Sequence, residues 1–300
     1  MSVLVVGSVA LDTVETTQNS VQDSLGGSAL YFSSAASLFT YVNVVGVVGS
    51  DFNFADIEFL KNRNVDLSGL YIEEGKTFRW GGRYHQDVNK RDTLFTDLNV
   101  FENFKPNIPE NYRQSEYIFL ANIDPELQLQ VLDQIKNPRY VVLDTMNFWI
   151  SGKRDKVIEV LKRSNIVILN DEETRELTEN PNLLDAGRQI LTMGPEYIII
   201  KKGEHGAVLL GKNTYFSIPA FPLENVADPT GAGDSFAGGF VGYLSKQQNN
   251  DESHLRKAIV YGSVIASFTV QDFSFKRLIQ ISDEDINYRF EKMKEITRFV

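Results

Sequence analysis

Six short segments of this sequence are apolar on both faces of any strand that they could form, and this feature constrains the fold most. They read VLVV (3–6), VVGVV (44–48), YIFL (117–120), YVVL (140–143), IVIL (166–169) and YIII (197–200). Strands buried on both faces belong to parallel sheets that helices cover on each side. The intervening segments have helical patterns, and 126–135 follows Asp124 as a cap and Pro125 in the first turn. The sequence predicts a doubly wound α/β fold with a mostly parallel sheet.

The C-terminal segment is predicted to form an amphipathic helix. It begins with SDED (282–285), a pattern typical of a capping box. Apolar residues then recur at helical spacing, which predicts that they face the core. They are Ile286, Phe290, Met293, Ile296 and Val300.

Residues 71–100 interrupt the α/β pattern. They alternate apolar and polar residues and contain Gly81-Gly82, which predicts a small antiparallel sheet with one wet face. We expect this insert, with part of 12–24, to be a lid on a single domain that covers 1–300. A dimerisation flap is the alternative use of such a sheet, and one sheet could serve both roles.

Composition excludes several classes of protein. The formal net charge of −10 disfavours broad binding to nucleic acids or anionic membranes. The absence of cysteine excludes disulfides, thiolate catalysis and cysteine-bound zinc. The first basic residue is Lys61, and the longest uncharged apolar stretch, 258–270, is too short to span a bilayer. These features predict a cytoplasmic protein without a nucleic-acid or membrane partner.

Polar residues follow the predicted strands at the ends where an open α/β sheet binds its ligands. Singly, each of them could be a helix cap. Because several strand ends converge on one edge, together they predict a polar cleft for charged ligands. They are Asp12, Asn122, Asp124, Asp144, Asn147, 170–173 (NDEE), Lys201, Lys202 and Gly203.

The stretch DPTGAGDSFAGGF (228–240) predicts a helix that starts at an anion site. Gly231, Ala232 and Gly233 leave the first turn free of bulky side chains, so a phosphate can approach the unpaired backbone N–H groups. Asp234 beside such a site is suited to take a proton from a hydroxyl that attacks the phosphate. Its alternative role is to stabilise the helix dipole. The small residues of SFAGGF (235–240) predict tight packing of this helix against the sheet.

This stretch resembles the second signature of the ribokinase/PfkB family of carbohydrate and nucleoside kinases. GGSALYFSSAASL (26–38) stands at the first signature, NDEE (170–173) resembles the Asn-x-x-Glu motif, and KKGEHG (201–206) resembles the nucleotide-side Gly-x-x-Gly turn. The resemblance covers essentially the whole chain. It implies a large α/β domain with a β-lid, and transfer of the ATP γ-phosphoryl group to a hydroxymethyl group.

The resemblance and the strand-end positions together predict the site residues. Asp234 resembles the catalytic base, and the backbone of Gly231, Ala232 and Gly233 resembles the anion hole. Glu173, with Asn170, resembles the pair that organises Mg²⁺ and phosphate, partly through water. The predicted acceptor contacts are Asp12, Gly26, Gly27, Tyr31, Trp80 and Asn122. The predicted ATP contacts are Asn170, Lys202, Gly203, Gly206 and Thr230, and Asp228 resembles a residue near a monovalent-cation site of some members, which leaves K⁺ open.

One departure from the family pattern leaves the acceptor undecided. Tyr31 stands where the first signature usually has an Asn that binds sugar hydroxyls, and an aromatic ring could stack on a ligand or fill space. The predicted function is an ATP- and Mg²⁺-dependent sugar kinase, and a nucleoside kinase is the alternative. A silent sugar-binding sensor is a third reading, and the intact Gly-Ala-Gly-Asp argues against it.

Overall fold

Thirteen strands form two sheets in the computed structural model, which describes residues 2–249 and 251–298. The strands are β1 Ser2–Val6, β2 Ala10–Glu15, β3 Ser20–Gly26, β4 Tyr41–Gly49, β5 Val65–Glu73, β6 Phe78–Tyr84, β7 Arg91–Asp97, β8 Tyr117–Leu120, β9 Tyr140–Asp144, β10 Ile166–Asn170, β11 Tyr197–Lys201, β12 Ala207–Gly211 and β13 Tyr215–Ile218.

Along the chain, most helices connect strands of the larger sheet. They are α1 Ser28–Ala36, α2 Glu58–Lys61, α3 Pro125–Gln134, α4 Asn147–Gly152, α5 Arg154–Leu161, α6 Asp171–Thr178, α7 Leu183–Leu191, α8 Ala232–Ser245, α9 Glu252–Thr269, α10 Lys276–Gln280 and α11 Asp283–Thr297. None of these helices, within the part of the chain that the structure describes, has the length and apolarity that crossing a membrane requires.

The larger sheet has nine strands in the order β13-β12-β11-β10-β9-β8-β1-β4-β5. All six segments predicted from the sequence are neighbours in it and run parallel, from β11 to β4. Alternate residues of one strand enter different cores: Val3 and Val5 face one core, and Leu4 and Val6 face the other. This two-sided burial explains the continuous apolar runs and confirms the predicted fold class.

Helices α1, α8, α9 and α11 contribute to one core, and α3 to α7 contribute to the other. The glycines of α8 allow close contact with helices, whereas the sequence predicted close contact with the sheet. A Cβ at Gly238 would stand 2.5 Å from the carbonyl oxygen of Phe32 in α1, and one at Gly239 would stand 3.0 Å from that of Tyr261 in α9. The small residues are therefore needed because α8 lies between two helices.

Both predicted helix starts are present. The Asp124 side chain accepts a hydrogen bond from the Glu126 amide at 3.0 Å, with Pro125 in the first turn. Ser282 caps α11 in a capping box with Asp285.

The predicted apolar stripe of α11 is correct for its first three members. Ile286, Phe290 and Met293 are buried, but Ile296 is 45 % exposed. All the residues from 294 to 298 are exposed, so the end of the helix does not pack on the core. Val300 lies outside the described residues.

The smaller sheet has four strands in the order β3-β2-β6-β7. Its outer pairs are antiparallel, as predicted, but β2 and β6 in the centre are parallel. Tyr71–Glu73 lie outside this sheet because they pair with β4 at the end of β5, so the smaller sheet begins a few residues after the approximate boundary at 71. Its inner side chains include Val14, Tyr84 and Trp80, which pack with Phe273.

Candidate active site

The start of α8 is crowded by two side chains from other elements. Gly231 has φ +74°, and no side chain caps the helix. A Cβ at Gly231 would stand 2.3 Å from the Tyr31 ring, and a Cβ at Gly233 would stand 2.9 Å from Lys201 Nζ. Positive φ and the contact with the Tyr31 ring require glycine at 231, whereas at 233 a Cβ would meet only the end of the flexible Lys201 side chain. The first turn of α8 consequently presents its backbone with little side-chain cover.

Asp234 lies in the first turn of α8 and is partly buried. Burial and the nearby charge of Asp144 raise the pKa of its carboxyl to about 7, against the opposing effects of Lys201 and Arg91. A carboxyl with a pKa near neutrality can both accept and release a proton at neutral pH.

Three neighbouring strands deliver charged or polar residues beside Asp234. Asp144 ends β9, Asn170 ends β10 and Lys201 ends β11, and Asn170 pairs in register with Lys201. Lys201 Nζ is 3.6 Å from Asp144 Oδ1, which is buried and makes no hydrogen bond within the described residues. Burial lowers the pKa of Lys201, but nearby carboxylates outweigh it and raise that pKa, so the ammonium stays charged.

Asn170 and Glu173 form a capping box at the start of α6. The Glu173 amide donates to Asn170 Oδ1 at 2.7 Å, and the Asn170 amide donates to Glu173 Oε2 at 2.7 Å. The helix-cap role is thus present for both residues. Glu173 is buried, and burial raises its pKa to about 7, with Lys201 opposing this effect and Asp144 adding to it.

Asp12 lies in β2, opposite Trp80 of β6. Its Oδ2 is 1.8 Å from where a Cβ of Gly26 would stand, and the backbone of Gly27 hydrogen-bonds to its carboxylate. Burial and the charge of Asp228 raise its pKa to about 8. The four predicted residues Asp12, Gly26, Gly27 and Trp80 are therefore brought together.

Tyr31 is buried against the start of α8. Its ring lies 4.4 Å from that of Phe275, between centroids, and packs on Gly231. Nearby, Asp228 Oδ1 accepts a hydrogen bond from the Thr230 amide at 2.8 Å. Thr230 Oγ1 in turn donates to the hydroxyl of Tyr84 at 3.2 Å. Thr230 therefore connects the loop before α8 to the smaller sheet.

The nucleotide-side turn contacts the smaller sheet. Gly203 and Gly206 have φ of +54° and +88°, and the Lys202 amide donates to the Gly206 carbonyl at 2.8 Å. Asn89, in the turn between β6 and β7, donates from Nδ2 to Glu204 Oε2 at 2.5 Å. The tip of the smaller sheet therefore rests on this turn.

Asn122 is the predicted residue with the weakest link to the others. Its Nδ2 lies 3.1 Å from Met146 Sδ, and its buried Oδ1 has no hydrogen-bond partner within the described residues.

Three residues to which the sequence assigned no catalytic or binding role, Asp144, Lys201 and Arg91, act on the same carboxyl group of Asp234. Asp144 and Lys201 were recognisable as strand-end residues, but their mutual contact depends on strand order. Arg91 starts β7, and its Cζ lies 5.3 Å from the centroid of Trp80. It gave no signal in the sequence. Its charge lowers the pKa values of Asp12 and Asp234.

Comparisons with known proteins show the family and the fold of the chain. The family model described as pfkB family carbohydrate kinase matches residues 2–278. The cytidine kinase of Thermococcus kodakarensis is 30% identical over 258 residues, which are 84% of this chain and 91% of the relative. The nucleoside kinase of Methanocaldococcus jannaschii is 26% identical over 80% of this chain and 79% of its own length. The crystal structure of a putative ribokinase II from E. coli in complex with ATP and Mg²⁺ superposes with a TM-score of 0.79 at 17% identity, over 97% of this chain and 99% of that one.

Proposed function

The chain belongs to the pfkB family of carbohydrate kinases, phosphotransferases that act on hydroxyl groups, and from this premise we propose that it is an ATP-dependent nucleoside kinase. The observation that carries the proposal is the 30% identity to a cytidine kinase over most of both chains. The sequence alone favoured a sugar kinase, with a nucleoside kinase as the alternative.

In the proposed reaction, Asp234 is the general base. The hydroxymethyl oxygen of the acceptor forms a bond to the γ-phosphorus of ATP, and the bond from that phosphorus to the bridging oxygen breaks. ADP leaves with the electron pair, and the Asp234 carboxylate takes the hydroxyl proton. The backbone N–H groups of 231–233 lie at the positive end of α8 and would bind the transferring phosphoryl group, although the Ala232 amide donates to the Pro229 carbonyl at 3.2 Å in this structure. The position of Asp234 in the first turn of α8 supports this role.

The residues beside Asp234 fit a magnesium ion that is shared with the nucleotide. Mg²⁺ commonly binds one or two carboxylates together with substrate phosphates. The described residues contain no cluster of three or more His, Asp or Glu side chains that could hold a metal without the nucleotide. Glu173 in the first turn of α6 and Asp144 at the end of β9 provide buried carboxylates, and Asp144 Oδ1 is paired only with Lys201 Nζ, at 3.6 Å, within the described residues. The ion, when bound, would neutralise charge on the phosphates.

For the nucleotide we assign the turn 203–206, with Lys202, Asn170 and Thr230 as further contacts. Asp228 is retained as the candidate for K⁺, although its Oδ1 already accepts the Thr230 amide. Replacing K⁺ by tetramethylammonium in the assay tests this assignment, and unchanged activity would contradict it.

The smaller sheet is proposed to close over the acceptor. Asp12 would bind acceptor hydroxyls, and Trp80 on the adjacent strand offers an aromatic face of the kind that a nucleobase can stack on. Trp80 and Val21 pack against a small cluster that contains the buried Phe273.

The experiment is a panel of acceptors with ATP consumption as the readout. Cytidine, uridine, adenosine and inosine are compared with ribose and fructose at equal concentration, and the product is identified by phosphorus NMR. We expect kcat/KM for at least one nucleoside to exceed that for either sugar. A higher value for ribose or fructose would restore the sugar kinase, and sugar binding without phosphate transfer would indicate the sensor.

A further inference from the structure

The turn at 85–90, between β6 and β7, is a part of the smaller sheet to which the proposed reaction assigns no role. Its Asn89 contacts the turn 203–206, which we assign to the nucleotide. Asn89 Nδ2 donates to Glu204 Oε2 at 2.5 Å, and Asn89 Oδ1 stands 2.2 Å from where a Cβ of Gly203 would be. Because Gly203 has no side chain, the amide group of Asn89 can lie directly against this turn.

The Asn89 side chain is itself held in place by its own turn. Asp87 Oδ1 accepts hydrogen bonds from the Asn89 backbone amide at 3.1 Å and from Asn89 Nδ2 at 3.3 Å. The Lys90 amide donates to the Asp87 carbonyl at 2.9 Å and closes the turn. A side chain that is already ordered loses little conformational entropy when it makes a further contact. Asn89 can therefore hold Glu204 at a small entropic cost.

The turn 203–206 has a backbone that an outside contact helps to order. Gly203 and Gly206 have φ of +54° and +88°, and glycine loses more backbone freedom on ordering than any other residue. Glu204 lies between these two glycines. A contact that fixes Glu204 before the nucleotide arrives reduces the ordering entropy that nucleotide binding would otherwise have to offset.

The smaller sheet meets the nucleotide side at a second point. Thr230, which we also assign to the nucleotide, hydrogen-bonds through Oγ1 to the hydroxyl of Tyr84 at 3.2 Å. A cavity of about 260 Å³ lies between the smaller sheet and the loop before α8, and its lining includes Tyr84 and 16–18 on one side and 224–227 on the other. The smaller sheet thus borders both of the segments that we assign to the nucleotide.

Building on the kinase function proposed above, we propose that the smaller sheet holds the nucleotide as well as the acceptor, with Asn89 as a positioning residue for the nucleotide. Asn89 acts through Glu204 and keeps the turn 203–206 in the conformation that receives ATP. Two competing roles are a surface contact without effect on binding and a role for the turn at 85–90 on the acceptor side alone.

The test is a double-mutant cycle on the full chain with the β,γ-imido analogue of ATP and Mg²⁺, because this analogue binds without transferring its phosphate. Calorimetry gives its Kd for wild type, Asn89→Ala, Glu204→Ala and the double variant. An exposed contact with a carboxylate changes binding by about two- to fivefold. We expect Asn89→Ala to raise Kd by this factor in the wild type, and to leave Kd unchanged in the Glu204→Ala background, where its partner is absent.

The matched control is Asn19→Ala. Asn19 is exposed in the other turn of the smaller sheet, between β2 and β3, and undergoes the same substitution. It should leave the Kd of the analogue unchanged. Steady-state kinetics then separate the two substrates: Asn89→Ala should raise KM for ATP by about two- to fivefold and leave KM for the acceptor at the wild-type value.

An unchanged Kd in Asn89→Ala overturns the proposal, as does an equal increase in both backgrounds. A rise in KM for the acceptor alone would also overturn it, and would assign the turn at 85–90 to the acceptor side. The proposed function fails by a different result, in which the wild type binds the analogue but transfers phosphate to no acceptor of the panel. Because calorimetry needs no turnover, it decides the role of Asn89 in either case.

Discussion

Asp234→Asn should lower the turnover rate and raise the free energy of unfolding, because the charge that would serve catalysis also destabilises the fold. The substitution keeps the shape of the side chain and removes the base. Loss of a general base lowers kcat by about 10²–10⁴-fold. ATP binding should survive and can tighten, since a negative charge beside the phosphates is removed.

The effect on stability follows from the pKa. Folding raises the pKa of Asp234 from 3.8 to about 7, and one unit corresponds to about 1.4 kcal/mol. The carboxyl therefore costs nothing well below pH 3.8, where it is protonated in both the folded and the unfolded state. Its cost grows as pH rises from 4 to 7, because the unfolded state ionises first, and is constant above that range. The upper limit is ~4 kcal/mol, and relaxation of the charged site reduces the expected gain in Asp234→Asn to about 1–2 kcal/mol.

The assay combines urea unfolding at pH 4 and pH 8 with calorimetric ATP binding and turnover at saturating acceptor. We expect Asp234→Asn to be more stable than wild type at pH 8, and to differ from it much less at pH 4. Comparison of the two proteins at each pH cancels the contribution of other titrating groups. Turnover within a few-fold of wild type would refute the base assignment, and equal stability at pH 8 would refute the electrostatic reasoning.

Three further predictions address the metal, the lid and the acceptor. Glu173→Gln should raise the Mg²⁺ concentration for half-maximal activity by about tenfold or more, and an unchanged dependence would leave only its helix-capping role. In a Trp149→Phe variant, Trp80 fluorescence should change when acceptor is added in the presence of nucleotide. Unchanged fluorescence at saturating acceptor would exclude contact between the acceptor and the lid. Asp12→Asn should raise KM for the acceptor by about 10–100-fold and leave KM for ATP unchanged, as measured by steady-state kinetics, because an acceptor hydroxyl would lose its buried hydrogen bond to the carboxyl. Equal effects on both KM values would instead indicate general damage.

The fold was largely predictable because its strands are buried on both faces. Runs such as 166–169 can be recognised without their neighbours, and Asp124 and Ser282 act within their own helices. The smaller sheet was predicted less well, because the parallel pairing of β2 with β6 joins segments that are distant in the chain. The end of β5 could not be distinguished from the insert by its sequence. An edge strand of the larger sheet and a strand of the smaller sheet both alternate apolar and polar residues.

For the candidate site, the sequence by itself determined the local elements: a side-chain-poor helix start at 231–233, an acid directly after it, and polar residues at strand ends. Each depends on neighbours along the chain. The tertiary structure decided which of these groups meet. Lys201 and Asp144 come together because their strands, β11 and β9, lie on either side of β10 in the sheet. Tyr31 contacts Gly231 because α1 packs beside α8. Burial then raises the pKa of Asp234. Burial depends on the whole fold, because all the surrounding elements together exclude water. The effect of neighbouring charges also depends on the fold, because charges interact through space.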